Sequence, residues 1–289
     1  MEYVGTVYRP PSEANSLIIQ VTIGCSHNSC TFCSMYKGKP FRIKDVSIIK
    51  KELKEFRKMY RSVKRIFLAD GDAFVLKTKD LIEILGEIKK IFPECERISS
   101  YATAQDILKK SDKDINMLKD YGLSFLYMGV ESGSDSILLN INKKITAKEM
   151  IMAGKKAIRS GMQLSVTLIA GIGGIEKSRE HAIESAKVIS EINPDYVGLL
   201  TLMVEKDTLM YDQIKSSEMT LLSPKEVMVE TYEFVKNLNV TNCVFRSNHA
   251  SNYVSLGGTL NRDKERILNE IETYLNDKGT FNAERYRAL

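Results

Sequence analysis

The chain has 289 residues, 43% of them hydrophobic, and a net charge of +5 from 42 basic and 37 acidic side chains. At about 150 residues per domain that length gives one or two domains, and the apolar fraction supports a packed core and excludes a largely disordered chain. The longest apolar stretches, such as 196–204, fall short of the roughly 20 residues a membrane span needs, and the opening residues show no basic segment followed by an apolar one, so neither a membrane nor a secreted protein is expected.

The predicted elements alternate along the chain. Residues 17–23 are alternating and β-branched and read as a strand. Residues 46–61 carry Val46, Ile49, Leu53, Phe56 and Met59 at helical spacing. A second strand over 65–69 precedes a helix over 78–92, and a short third strand over 98–101 precedes a helix over 112–121 that stops at Gly122. A fourth strand covers 123–128 and is followed by helices over 134–140 and 147–160. The fifth strand, 163–170, is followed by a helix over 177–192, and the sixth is 196–202. Beyond it the pattern predicts helices over 224–238 and 263–275 with a polar segment between them, Gly257-Gly258 turning the chain into the last helix.

Six strands alternating with helices predict an α/β fold with a parallel sheet and right-handed crossovers. Six units are too few for a full eight-stranded barrel, which needs about 250 residues. The expectation is therefore an open or partial barrel, a core over 1–204 and a mostly helical C-terminal extension over 205–289 that covers the barrel mouth. In such sheets ligand groups gather at the carboxyl ends of the strands. Those positions hold 24–33, Asp70-Gly71-Asp72, Tyr101-Ala102-Thr103, Gly129-Val130-Glu131 and 171–174. Glycine and polar residues recur there strand after strand.

Of five cysteines, Cys25, Cys30 and Cys33 fall within one nine-residue segment, while Cys95 and Cys243 stand alone. An odd, clustered set argues against a disulfide framework and for a reduced, cytoplasmic compartment. Thiolates are soft ligands for iron–sulfur clusters or for zinc. Structural zinc wants four ligands, and His27, between the first two cysteines, would close an awkwardly tight ring. Three cysteines on a cubane cluster leave one iron open to a cofactor or substrate.

Gly24-Cys25-Ser26-His27-Asn28-Ser29-Cys30-Thr31-Phe32-Cys33 resembles the cluster loop of the radical S-adenosylmethionine (SAM) superfamily, with the aromatic Phe32 just before the last cysteine. The first spacing, Cys-x4-Cys, is one residue longer than the family's common one. The resemblance implies a partial (β/α)6 TIM-like barrel, a [4Fe–4S] cluster on Cys25, Cys30 and Cys33, and SAM as cofactor. It extends over about 17–202. Asp70-Gly71-Asp72 stands where the family holds the amine of SAM, making Gly71 and Asp72 candidates. Met128-Gly129-Val130-Glu131-Ser132 looks like the family's Gly-Val-Gln or Gly-Val-Glu segment, which points to Glu131. Asn142-Lys143 is similar to an Asn-Arg pair of the coproporphyrinogen oxidase branch, so Lys143 would face the SAM carboxylate. Thr167 stands where that branch has a ribose-binding carboxylate. Phe32, Tyr101 and Thr103 complete the implied cofactor shell.

The layout is also similar to the radical SAM module of the Elongator catalytic subunit and of methylthiotransferases, which keeps tRNA beside a small molecule among the substrate classes. The charge itself, mild and spread out, gives no argument for nucleic acid. The implied activity is reductive cleavage of SAM to a 5′-deoxyadenosyl radical that abstracts hydrogen, fed by an external reductant such as flavodoxin or ferredoxin. Two other classes compete: an iron–sulfur sensor or electron carrier without catalysis, and a zinc-stabilised RNA-binding module. The first leaves the repeated strand–helix pattern and Glu131 idle, and the second lacks a basic stripe or a fourth ligand. Arg246, Asn248, His249 and Asn252, the densest polar set left over, are the substrate candidates. No residue is singled out as catalytic. His181, on a helix, reads as structural.

Overall fold

The computed structural model describes residues 3–276 and 278–288. In chain order the elements are β1 (Leu17–Gln20), β2 (Thr22–Ile23), β3 (Arg42–Ile43), α1 (Val46–Met59), β4 (Arg65–Ala69), α2 (Thr78–Ile91), β5 (Arg97–Tyr101), α3 (Ala104–Lys109), α4 (Asp112–Asp120) and β6 (Leu123–Glu131). They continue with α5 (Asp135–Asn140), α6 (Ala147–Arg159), β7 (Gln163–Ala170), α7 (Gly174–Ile192), β8 (Tyr196–Thr201), α8 (Leu209–Lys215), α9 (Pro224–Asn237), β9 (Cys243–Ser247), β10 (Leu256–Leu260) and α10 (Lys264–Leu275).

Eight strands form a mostly parallel sheet in the order β1-β4-β5-β6-β7-β8-β9-β10, and β2 pairs with β3 apart from it. The α/β class with a parallel sheet is as expected. The helices start where polar side chains satisfy the first backbone N–H groups. Asp45 accepts from Ser47 at α1, and Ser111 with Asp114 and Ser223 with Glu226 form capping boxes at α4 and α9.

Two differences from the sequence reading stand out. The first strand breaks at Val21, whose N–H donates to the Ala69 carbonyl while its own carbonyl accepts from Lys44. The C-terminal extension is less helical than expected. Residues read as a polar segment form β9, parallel to β8, and β10, antiparallel to β9. Gly257-Gly258, taken for a turn, lies inside β10. Glycine weakens a strand's local signal because it offers no side chain to alternate.

The chain folds as two compact units. The first holds residues 3–28, 35–128 and 156–164, and its core is built from Ile66, Phe67, Leu68, Leu81, Ile84 and Leu85, all fully buried. The second holds 29–34, 129–155 and 165–288, apart from residue 277. There Val166, Leu168, Val197 and Phe245 are buried, and Phe245 meets Phe234 of α9 at 6.4 Å between ring centres. Because strand side chains alternate, Thr167, Gly198 and Arg246 lie on the opposite face. The register sets these three side by side, with Gly257 next to Arg246.

Candidate functional site: the cysteine loop and the strand ends

In the first unit the segment from Gly24 into the cysteine loop is fastened to the turn after β4. Gly24 has φ +74°, and a Cβ there would stand 2.5 Å from the Lys39 carbonyl oxygen, so only glycine fits. Its N–H donates to Asp70 Oδ2 at 3.2 Å, and the same oxygen receives Lys39 Nζ at 2.5 Å and Gln20 Nε2 at 3.3 Å. Gly71 is a close approach as well. A Cβ on it would lie 2.5 Å from the Tyr36 ring and 3.0 Å from Cys25 Cβ. Tyr36 is held protonated, its pKa raised by burial and then by Asp70. Asp70 Oδ1 and the Tyr36 hydroxyl are buried without a well-formed hydrogen bond.

Asp72 is fully buried and accepts from Ser26, the residue after Cys25. Burial first, and then the neighbouring Asp106 carboxylate, push the Asp72 carboxyl well above the usual range. Burial also opposes ionisation of Asp106, but hydrogen bonds with Asp72, Thr103 and Lys109 outweigh it and hold its pKa low. Of the two carboxyls, Asp72 is the one whose charged form is disfavoured. Thr103 is committed to this network: it donates to Asp106 Oδ2 at 2.6 Å and accepts the Asp106 N–H at 3.2 Å as the cap of α3. Tyr101 packs edge-on against Phe67, ring centres 5.0 Å apart, and burial holds its hydroxyl protonated.

In the second unit the segment carrying Cys30, Phe32 and Cys33 docks on the turn after α5. Thr31 N–H donates to the Ile141 carbonyl at 3.0 Å, and Asn142 Nδ2 donates to the Ser29 carbonyl at 2.9 Å. The residue following Asn142 is Lys143, whose Nζ meets Glu131 Oε1 at 2.8 Å. Glu131 ends β6 with φ +64°, an uncommon conformation for a residue with a side chain. Both partners are largely buried, at 14% and 11% side-chain exposure, so the pair is one feature of the strand end rather than a solvated surface contact.

A cavity of about 390 Å³ opens at the carboxyl ends of β7 and β8, lined by Ala170, Gly171, Thr201, Leu202 and the apolar Met203, Val204, Leu221, Leu222 and Val227, with Tyr253, Glu284 and Arg287. Its size is in the range of small-molecule sites. Thr167 and Arg246 lie on the sheet face opposite α9. Arg246 is exposed, its Nη1 donating to the Phe245 carbonyl at 2.9 Å.

The four C-terminal candidates do not converge. Asn252 is buried and fully used, accepting from Thr201 Oγ1 at 2.9 Å and donating to the Leu199 carbonyl at 3.0 Å. His249 folds back on its own loop, its Nδ1 accepting the Ser251 N–H at 3.1 Å. Asn248 is exposed. Sequence reasoning passed over Lys39, Tyr36, Asp70, Asp106 and Glu230. Only Asp70 carried a signal, as part of Asp70-Gly71-Asp72.

Cys25, Cys30 and Cys33 are each half-buried, unlike the buried Cys243, and sit on irregular backbone between β2 and β3. Among the described residues no three His, Cys, Asp or Glu side chains are arranged to hold a single metal ion. Three thiols without a fourth protein ligand match a cluster that spreads its ligands over separate irons and leaves one open. At the strand end, a carboxylate and an ammonium side by side match the zwitterionic amino-acid end of SAM. The donor set fits both groups.

Comparison with known proteins agrees. Residues 19–186, more than half of the chain, match the Radical SAM superfamily. The haem chaperone HemW of Bacillus subtilis is 25% identical over 175 residues, covering 60% of this chain and 45% of HemW. The chain spans less than half the length of this and two further curated relatives. Among solved structures, coproporphyrinogen III oxidase (HemN) from Escherichia coli superposes with a TM-score of 0.58 at 17% identity, covering 76% of this chain and 52% of HemN. Archaeal Elp3 from Methanocaldococcus infernus gives 0.52 at 15% identity, covering 92% and 64%. These likenesses establish the fold. No helix among the described residues is long and apolar enough to cross a membrane. The chain belongs to the radical SAM superfamily, a family whose cofactors are a [4Fe–4S] cluster and S-adenosylmethionine.

Proposed function

We propose that the protein is an enzyme that binds SAM at a [4Fe–4S] cluster held by Cys25, Cys30 and Cys33 and acts on a small-molecule substrate. When bound and reduced by an external donor, cluster and SAM supply a 5′-deoxyadenosyl radical that takes a hydrogen atom from the substrate. The chain's own residues bind and orient. The observation that carries this reading is the Glu131–Lys143 pair, 2.8 Å apart beside the segment with Cys30 and Cys33. Glu131 would take the ammonium of SAM and Lys143 its carboxylate. Gly71 lets Tyr36 and Cys25 pack close against its backbone, and buried Asp72 steadies Ser26 in the cluster loop by accepting its hydroxyl. The cavity beside Gly171 has room for the nucleoside, and apolar walls there exclude water. Thr167 offers a hydroxyl on the same sheet row as Arg246, whose guanidinium suits a carboxylate or phosphate of the substrate bidentately.

Calorimetry of SAM binding to the anaerobically reconstituted protein tests this. Glu131→Ala and Lys143→Ala should each weaken binding about tenfold to a hundredfold, the loss expected for hydrogen bonds to a charged group, at unchanged iron content. Unaltered affinity would remove the pair from the SAM site. The similarity to HemW favours a second reading, haem handling without turnover. Haem retained through gel filtration, with SAM bound but never cleaved, would support that reading instead.

A further inference from the structure

Glu230, on α9, is 2% exposed, and among the described residues no lysine or arginine pairs with it. His181 Nε2 stands 3.8 Å from Glu230 Oε1, and burial pulls the His181 pKa down to about 4, so the imidazole is neutral. Burying an uncompensated carboxyl is unfavourable, and an apolar residue would pack a helix core better. Glu230 Oε2 is buried without a well-formed hydrogen bond, while Oε1 serves a turn that faces the proposed SAM site. Glu230 Oε1 accepts the Gly171 N–H at 2.7 Å, where the chain leaves β7 with φ +82°.

His181, on α7, faces the other turn. Its Nδ1 lies 2.9 Å from Ser132 Oγ and 3.3 Å from Ser185 Oγ, and the ring also hydrogen-bonds the Ile169 backbone near the end of β7. Ser132 directly follows Glu131 and takes the Ser134 N–H at 3.1 Å. Ser185 takes the Gly133 N–H at 2.9 Å. A Cβ on Gly133 would stand 2.3 Å from the Glu184 carbonyl oxygen, so this turn is pressed against α7 with no slack. One buried cluster therefore grips the backbone on both sides: the turn that begins at Glu131 and the Gly171 turn that lines the cavity.

We propose that Glu230 and His181 are positioning residues that hold the 131–134 and 171–174 turns for S-adenosylmethionine; the inference rests on the SAM reading above. Neither side chain touches the ligand. Each acts by leaving a backbone N–H or a serine hydroxyl no alternative orientation, which fixes where the Glu131 carboxylate and the cavity wall stand.

Calorimetric SAM binding to reconstituted variants, read beside iron content and thermal unfolding, decides it. Glu230→Ala and His181→Ala should each weaken SAM binding about tenfold at full iron content, since a buried N–H or hydroxyl loses its partner. Glu230→Gln keeps an acceptor oxygen for Gly171 and should restore affinity to within about threefold of wild type, which a merely space-filling role would not distinguish from leucine. Glu230→Leu should therefore fold and still bind weakly. Should Glu230→Ala or His181→Ala fail to fold, the Gln–Leu pair carries the test. Equal SAM affinity of the Gln and Leu variants would overturn the positioning role while leaving the SAM reading intact. Wild-type protein that binds no SAM would overturn that reading, and the proposal with it.

Discussion

Burial raises the pKa of Glu230 from an ordinary carboxyl value of 4.5 to about 7, which makes one residue a reporter on stability. The folded protein holds this proton through a pH window in which the unfolded chain has released it. Stability is therefore fully present below pH 4.5 and lost as pH rises through about 7, by at most about 3 kcal/mol. Removing the charge should remove the loss. Glu230→Gln should raise the melting temperature over wild type more at pH 8 than at pH 5. Groups distant from Glu230 titrate alike in both proteins and cancel in the difference. A gap independent of pH would contradict the buried charge. Glu230 was invisible in the sequence because its partner Gly171 is 59 positions away and on another element. Glu131 and Lys143 were legible, each inside a short motif, but not their ion pair across 12 positions.

Among elements, the loop between β2 and β3 depends on backbone more than on side chains. Gly24→Ala would force a positive-φ residue and set its Cβ against the Lys39 carbonyl. It should cost about 1–3 kcal/mol in urea unfolding and lower the iron bound after reconstitution, because the chain leading into Cys25 must move. An unchanged unfolding midpoint would show that the loop relaxes freely. The strands β1 and β4 to β8 were readable from β-branched runs and glycine stops. The β9–β10 pair was not: Arg246 and Ser247 gave β9 a polar look, and Gly257-Gly258 gave β10 the look of a turn. That error mattered for the candidate site, since the sheet register sets Arg246 in line with Thr167, while the β9–β10 connection commits Asn252 to hydrogen bonds with Thr201 and Leu199.

At the scale of the whole molecule the family assignment makes a stoichiometric statement. Anaerobically purified protein should carry about four irons per chain, as a cubane site requires. Cys25→Ala, Cys30→Ala and Cys33→Ala should each lose most of the iron. Cys95→Ala and Cys243→Ala should not, because burial pushes those thiols up to about 11 and about 12 and leaves little thiolate for a metal. Stoichiometric zinc without visible absorption would contradict the cluster.

The claim that joins residues, elements and fold is that this chain cleaves SAM. Its most direct measurement is 5′-deoxyadenosine, quantified by mass spectrometry after reconstituted protein is incubated anaerobically with SAM and dithionite. The account predicts that wild type forms it, that the Cys30→Ala protein does not, and that Glu131→Ala forms it only at raised SAM concentration. A reconstituted wild-type protein with full iron and bound SAM that forms none would contradict the enzymatic reading and leave a binding protein on a radical SAM fold.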